Sequence, residues 1–218
     1  LLQRVLHGKR IHHRRQHAHI VGLRAVHALG SARHAAEDIA AADDQADLAA
    51  IVLGRLHFLG DGGTGGHDQG DTRVSEKVLR DVHAAGYMTG LPAGALTVMP
   101  SFSSWNGTKM TGNKSLLTGV LKDRWGFDGF TIGDWNAHGQ VPGCTNEDCP
   151  AAINAGLDMF MYSGPKWKEL YANTLREAKD GTIPTARLND AVRRILRVKA
   201  ISGALEKGHV DVGSRRQG

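Results

Sequence analysis

The stretch Gly126-Phe-Asp-Gly-Phe-Thr-Ile-Gly-Asp-Trp135 ends an apolar run on one carboxylate, Asp134, beside an indole, Trp135. A short apolar run bounded by glycines reads as a buried strand. A carboxylate delivered at the end of such a strand stands where α/β enzymes keep nucleophiles and bases. The plainer alternative is an aspartate that caps whatever helix follows. A second acid, Asp61, lies in Gly60-Asp-Gly-Gly-Thr-Gly-Gly66. That loop does not lead directly into a helix and holds no GxxxxGK[ST] pattern, so a nucleotide-cradling role is disfavoured. Its glycines suit tight backbone turns beside a ligand.

The elements that must position these groups alternate strand and helix from His57 onward, the pattern of a parallel sheet with covering helices. Phe58 closes a short strand. Ala95–Ser101 reads as the second, Phe127–Gly133 as the third and Leu157–Met161 as the fourth. Between them, Ser75 caps a helix with Val78, Leu79 and Val82 expected on one face, and Leu116, Leu117, Val120 and Leu121 mark another. Pro150 opens a short helix closed by Gly156. Two further helices are expected, from Pro165 to Gly181 and from Pro184 to about Ala200.

At 218 residues, with 41% hydrophobic residues, the chain is long enough for one sizeable domain. Its mean hydropathy is -0.30, and no run approaches the ~18 apolar residues of a membrane span. No secretory signal follows Leu1-Leu2, and the first residue is not Met, so a start further upstream is expected. The net charge of +5 is unevenly placed: residues 1–36 carry seven Lys or Arg and no acid, while 57–218 hold 19 against 17. Residues 1–56 contain seven of the twelve histidines and no aromatic residue, and they turn Ala- and Asp-rich after Glu37. Neither metal-ligand spacing nor interleaved aromatics accompany that bias, so metal and nucleic-acid binding are not expected. Cys144 and Cys149 close a short polar loop, Pro142-Gly-Cys-Thr-Asn-Glu-Asp-Cys-Pro150. They read as a disulfide, and so as a periplasmic or extracellular setting, with free thiols as the alternative. A two-cysteine metal site is disfavoured by the spacing.

Five separate motifs stand in order: His57-Phe-Leu-Gly-Asp-Gly-Gly-Thr64, Met99-Pro-Ser-Phe-Ser-Ser-Trp-Asn-Gly-Thr-Lys-Met-Thr-Gly-Asn113, the Asp134 strand, Ala155-Gly-Leu-Asp-Met-Phe-Met161 and Arg187-Leu-Asn-Asp-Ala-Val-Arg-Arg-Ile-Leu-Arg-Val-Lys199. Together they resemble glycoside hydrolase family 3, in its branch of β-glucosidases and exo-β-1,3(1,4)-glucan glucohydrolases, over residues 57–205. The resemblance implies an α/β fold, the C-terminal half of a (β/α)8 TIM-type barrel; by composition, an irregular or partly helical segment 1–56 precedes it and a polar tail 206–218 follows it. It implies retaining hydrolysis of terminal β-D-glucosyl residues in β-glucan, cello- or laminari-oligosaccharides, without cofactor or metal, nucleic acid or membrane. Asp134 matches the family's nucleophile. His57 would hydrogen-bond a sugar hydroxyl, with Asp61, Phe102, Trp135 and His138 lining the sugar subsites and Gln140 bordering them.

Departures accompany the likeness. Relatives carry Lys before the matched His, where this chain has Leu56, and His is common in them where Thr111 stands. Arg55 offers a partial substitute for that charge, but a one-residue shift along a strand turns it to the opposite face, so impaired sugar binding is expected. Lys109 reads as structural, and Asp158 as a hydrogen-bonding group at the barrel rim. No second catalytic carboxylate is identified, since the family's general acid/base comes from a separate sandwich domain. The chain alone is therefore expected to be inactive or weakly active, and to self-associate through exposed strand edges. Residues 1–56 are expected to be foreign to the family, a shifted reading frame of GC-rich DNA. The coding DNA's other two frames would then yield a barrel segment ending in Lys-His-Phe. Two alternatives are the family's β-N-acetylhexosaminidase branch and a non-catalytic carbohydrate-binding or assembly subunit.

Overall fold

The computed structural model describes residues 57–205; the segment 1–56, with Arg55 and Leu56, and the tail 206–218 lie outside the described residues. Within this range four parallel segments lie side by side in chain order. Phe58 bridges Pro100, β2 (Thr97–Val98) pairs with β5 (Phe130–Thr131) as Thr97 to Phe130 and Val98 to Thr131, and Ile132 bridges Met159. The four expected strands are therefore present, but the ladders are short. Pro100 has no N–H to extend its ladder. At the other end, a Cβ on Gly129 would collide with the Leu96 carbonyl oxygen, so only glycine lets those backbones meet.

The first connection runs through α1 (Glu76–Val78), a wider π turn over Leu79–His83, and α2 (Ala85–Gly90). Ser75 caps it, its Oγ accepting from the Val78 N–H at 3.3 Å. Only Leu79 of the expected face is buried, while Val82 is 60% exposed. The π winding over Leu79–His83 takes more residues per turn and carries Val82 off the core side. The helix Ser115–Arg124 is also π-wound; Leu116, Leu117 and Leu121 are buried, with Val120 packed against them. Its start is held by Asn113, whose Oδ1 accepts from Ser115 Oγ at 2.7 Å.

The last helices follow their end signals: α3 (Pro150–Ala155) stops at Gly156, α4 (Trp167–Asp180) at Gly181 with φ 84, and α5 (Thr185–Ile201) starts after Pro184. Among the described residues no helix is long and apolar enough to cross a membrane.

A small second sheet stands beyond the strand ends, in addition to the expected elements. β1 (Asp71–Thr72) pairs parallel with β3 (Ser104–Trp105), which turns back antiparallel to β4 (Thr108–Lys109). Asn106 and Gly107 at the turn have φ 47 and 85, the geometry for which Asn-Gly is favoured in two-residue hairpins. That dipeptide is the signal in the sequence.

Two apolar clusters hold the layers together. In the first, Phe58 is fully buried, edge-on to Tyr87 at 5.2 Å and Trp125 at 6.0 Å, against Leu59, Leu79, Val98, Met110, Leu117 and Leu121. Burying a phenylalanine this completely is worth roughly 2–3 kcal/mol. In the second, Ile183 from the turn before α5 meets Ile153, Leu157 and Val141.

Candidate active site

Asp134 sits just past the end of β5, where the strand's last contacts are made through Gly133, whose N–H donates to the Met159 carbonyl at 2.8 Å. Its side chain is 16% exposed. One oxygen, Oδ1, accepts from the Trp135 N–H at 2.6 Å, and the Asp134 carbonyl accepts from Ala137 at 3.1 Å. The carboxylate does not cap the short 3-10 turn Ala137–Gln140 that follows, whose N-cap is Asn136 without a side-chain hydrogen bond; its other oxygen, Oδ2, faces His57.

That turn is pinned by Asn136, a residue the sequence motifs do not single out. It takes the left-handed conformation, φ 56, which Asn tolerates better than most residues. Its Nδ2 donates to Ser163 Oγ at 3.0 Å, its Oδ1 accepts from the Ser163 N–H at 3.0 Å, and its own N–H reaches the Met161 carbonyl at 3.0 Å. A polar residue able to adopt positive φ two positions after a strand-end carboxylate is the signal for it.

His57 faces Asp134 from the first strand. Its Nδ1 is 3.0 Å from Asp61 Oδ2 and its Nε2 is 3.8 Å from Asp134 Oδ2. The hydrogen bond to Asp61 raises the His57 pKa against the opposing effect of burial, with the Asp61, Asp134 and Asp68 charges acting in the same sense. Asp61 is held below the usual carboxylate range, first by the same hydrogen bond. His57, Asp61 and Asp134 are therefore brought together.

The remaining expected residues divide. Trp135 is 62% exposed, presenting its indole to solvent one residue from Asp134. Phe102 is half-buried, with Lys109 Nζ 5.9 Å from its ring centre and donating to its carbonyl at 3.3 Å. Lys109 thus holds the Phe102 loop, which accords with a structural role. Thr111 is buried. Gln140 donates to Gln69 at 2.9 Å, tying the loop after Asp134 to the glycine loop.

His138 does not line a sugar subsite. It is 0% exposed, its ring tilted against Phe160 at 4.6 Å, and its Nε2 is 2.8 Å from the Asn146 carbonyl, to which it donates. Burial pushes its pKa down, so it is a neutral core histidine beneath the turn. Asp158 also lies away from the site, at the opposite end of the strands. It accepts from the buried Lys122 at 2.8 and 2.9 Å, from the Thr131 N–H at 2.8 Å, and from Arg187.

Cys144 and Cys149 form a disulfide. Among the described residues no group of three or more His, Cys, Asp or Glu side chains is arranged to hold a metal ion.

Comparison with known proteins follows the same lines. The family model "Glycosyl hydrolase family 3 N terminal domain" matches residues 13–198. Its start takes in most of the segment for which the sequence shows no family motif, against the expectation that the likeness begins at His57. The chain is 32% identical over 179 residues to a periplasmic beta-glucosidase of Salmonella typhimurium, covering 78% of this chain and 22% of that protein. It is 33% identical over 135 residues to a beta-glucosidase of Rhizobium radiobacter, covering 62% and 15%. Among solved structures, an exo-1,3/1,4-beta-glucanase from a Pseudoalteromonas species is 50% identical with a TM-score of 0.67, over 70% of this chain and 24% of that one. A Bifidobacterium adolescentis beta-glucosidase, at 23% identity and a TM-score of 0.58 over 77% of this chain and 24% of that one, shares the fold. The chain spans about a fifth of the length of these relatives. With its motifs, its strand-end carboxylate and a family match over most of its length in agreement, the chain belongs to glycosyl hydrolase family 3, through that family's N-terminal domain.

Proposed function

We propose that Asp134 is the nucleophile of a retaining β-glucosidase or exo-glucan glucohydrolase acting on terminal β-D-glucosyl residues. The observation that carries this reading is the placement of Asp134 past a parallel strand end, with one oxygen accepting from the Trp135 N–H and the other 3.8 Å from a histidine drawn toward its charged form. In such a mechanism the carboxylate oxygen attacks the anomeric carbon while the bond from that carbon to the leaving oxygen breaks. The leaving oxygen takes a proton from a general acid, which later draws a proton from the water that frees the sugar.

None of the described carboxylates is assigned to that second role. Since the chain spans about a fifth of its relatives' length, we place the acid/base outside residues 57–205. Loss of such a group typically costs ~10²–10⁴ in rate, so the 218-residue chain by itself is expected to turn over glucosides slowly. The four parallel segments in chain order support reading this domain as the second half of a (β/α)8 barrel. Glucan-derived oligosaccharides are the proposed substrates, with exposed Trp135 offering a flat apolar face to a sugar ring. The Cys144–Cys149 disulfide and the periplasmic relative favour a periplasmic or extracellular setting.

The test separates attack from protonation. A 2,4-dinitrophenyl 2-deoxy-2-fluoroglucoside carries a leaving group that departs without a proton, so the first step requires no general acid. Intact-mass and peptide mass spectrometry should find one fluoroglucosyl adduct on Asp134, absent in Asp134→Asn. An adduct elsewhere would remove Asp134 as the nucleophile, and glucoside binding with no adduct would favour the carbohydrate-binding reading instead.

A further inference from the structure

The glycine loop after His57 folds one carboxylate back onto that histidine. Gly60 and Gly62 reverse the chain with φ 75 and 81. A Cβ on Gly60 would lie 2.8 Å from Thr72 Oγ1, and one on Gly63 would lie 2.8 Å from the Asp71 nitrogen. Thr72, fully buried in β1, donates its hydroxyl to the Gly60 carbonyl and anchors the reversal. Asp61, four residues after His57, therefore returns to its Nδ1 at 3.0 Å.

The other end of the ring meets a second carboxylate. With Nδ1 engaged by Asp61, Nε2 is the nitrogen left to face Asp134, at 3.8 Å. A neutral imidazole has one N–H: donating it to Asp61 would turn a lone pair toward the Asp134 carboxylate. Only the imidazolium presents an N–H at both ends. At 3.8 Å the second contact is longer than a hydrogen bond but close enough for charge attraction. We propose that Asp61 is a positioning residue that holds His57 as an imidazolium, with Nε2 aimed at the Asp134 carboxylate, so that the nucleophile works beside a fixed positive charge. This rests on the reading of Asp134 as the nucleophile. The titratable groups facing His57 are Asp61 and Asp68 on its own loop and Asp134 from the end of β5, and all three favour its charged form. The glycine motif thus serves the nucleophile through His57 instead of cradling a phosphate.

The experiment follows the His57 ring itself in the full 218-residue chain, labelled with 15N and assigned against His57→Gln. The wild-type ring should titrate above an ordinary histidine. In Asp61→Asn its midpoint should fall by about one pH unit, the scale expected for losing an adjacent opposite charge. Asp61→Glu should restore part of the shift, and Asp134→Asn should lower it by less. The alkaline limb of the fluoroglucosylation rate should move with the ring in each variant that retains Asp134. An unchanged ring titration in folded Asp61→Asn would overturn the proposal. So would a wild-type ring that titrates at or below the ordinary value, a result that stands even where Asp61→Asn fails to fold. Absence of any adduct in the wild type, with the ring titrating as expected, would instead remove the nucleophile reading on which the proposal rests.

Discussion

His57 and His138 carry the same ring into opposite surroundings. His57 lies between carboxylates and is drawn toward its charged form, whereas His138 is sealed against Phe160 with a single carbonyl partner and is drawn toward its neutral form. Lys122 shows the same competition in a buried cation. Its side chain is 2% exposed, and burial lowers its pKa to about 8 although Asp158 pulls the other way; Arg187 and Arg194 add repulsion. The fold therefore binds this proton less readily than the unfolded chain does. Stability should rise with pH from about 8 toward 10.5, the ordinary lysine value, and the penalty should be complete below 8. Lys122→Met should abolish that slope in urea denaturation across this range. It should also lower stability at pH 7 by ~1–3 kcal/mol, since three acceptor contacts to Asp158 and Gly156 are lost while Arg187 still covers the Asp158 charge. A wild-type slope equal to that of the variant would sink the assignment.

At the scale of elements, the disulfide turn holds more than itself. Asn146 offers its carbonyl to His138, Glu147 accepts from Tyr162 at 3.1 Å and from Asn173 at 2.8 Å, and Asp148 pairs with Arg176 at 3.0 Å. The five-residue separation of Cys144 and Cys149 thus fastens α4 to the turn that follows Asp134. A loop this short stabilises by ~2 kcal/mol on the chain-entropy account. Reduction under native conditions should lower the thermal midpoint by a few degrees and expose amides of residues 138–149 to hydrogen exchange first. Uniform exchange across the domain would argue against a local clamp. The hairpin β3–β4 follows a different logic, because Asn106-Gly107 writes its turn locally. Its strands escape a pattern search because two residues carry too little alternation to stand out beside the long apolar runs.

For the whole molecule, apolar surface remains uncovered on the two long helices. Trp167, Tyr171 and Leu175 recur every four residues along α4, 56, 65 and 40% exposed, and Val192 and Leu196 do so on α5, 47 and 49% exposed. Such stripes drive association unless something covers them. Sedimentation velocity of the 218-residue chain should show an apparent mass that grows with concentration, reduced by Tyr171→Lys with Leu175→Lys. A concentration-independent monomer would refute this expectation.

Much of this organisation is legible in order of locality. The strands ending at Phe58 and Asp134 and the caps at Ser75, Pro150, Gly156, Gly181 and Pro184 follow from apolar runs and from backbone preferences of single residues, which neighbours along the chain suffice to express. The helix face of Val78, Leu79 and Val82 does not follow the periodicity, because packing sets the number of residues per turn. Which strand-end polar groups meet and which are buried is likewise decided only in three dimensions. His57, Asp61 and Asp134 converge because the parallel segments on either side of β2 bring residue 57 toward residue 134 and a glycine turn returns residue 61. His138, four positions past Asp134, is buried instead, since the disulfide turn closes over it. Motif order and local propensity, both written along the chain, suffice to define a family 3 chain with its carboxylate at a strand end. The charged partner of that carboxylate is left to tertiary structure, because electrostatic contact depends on distances that only the packed layers define.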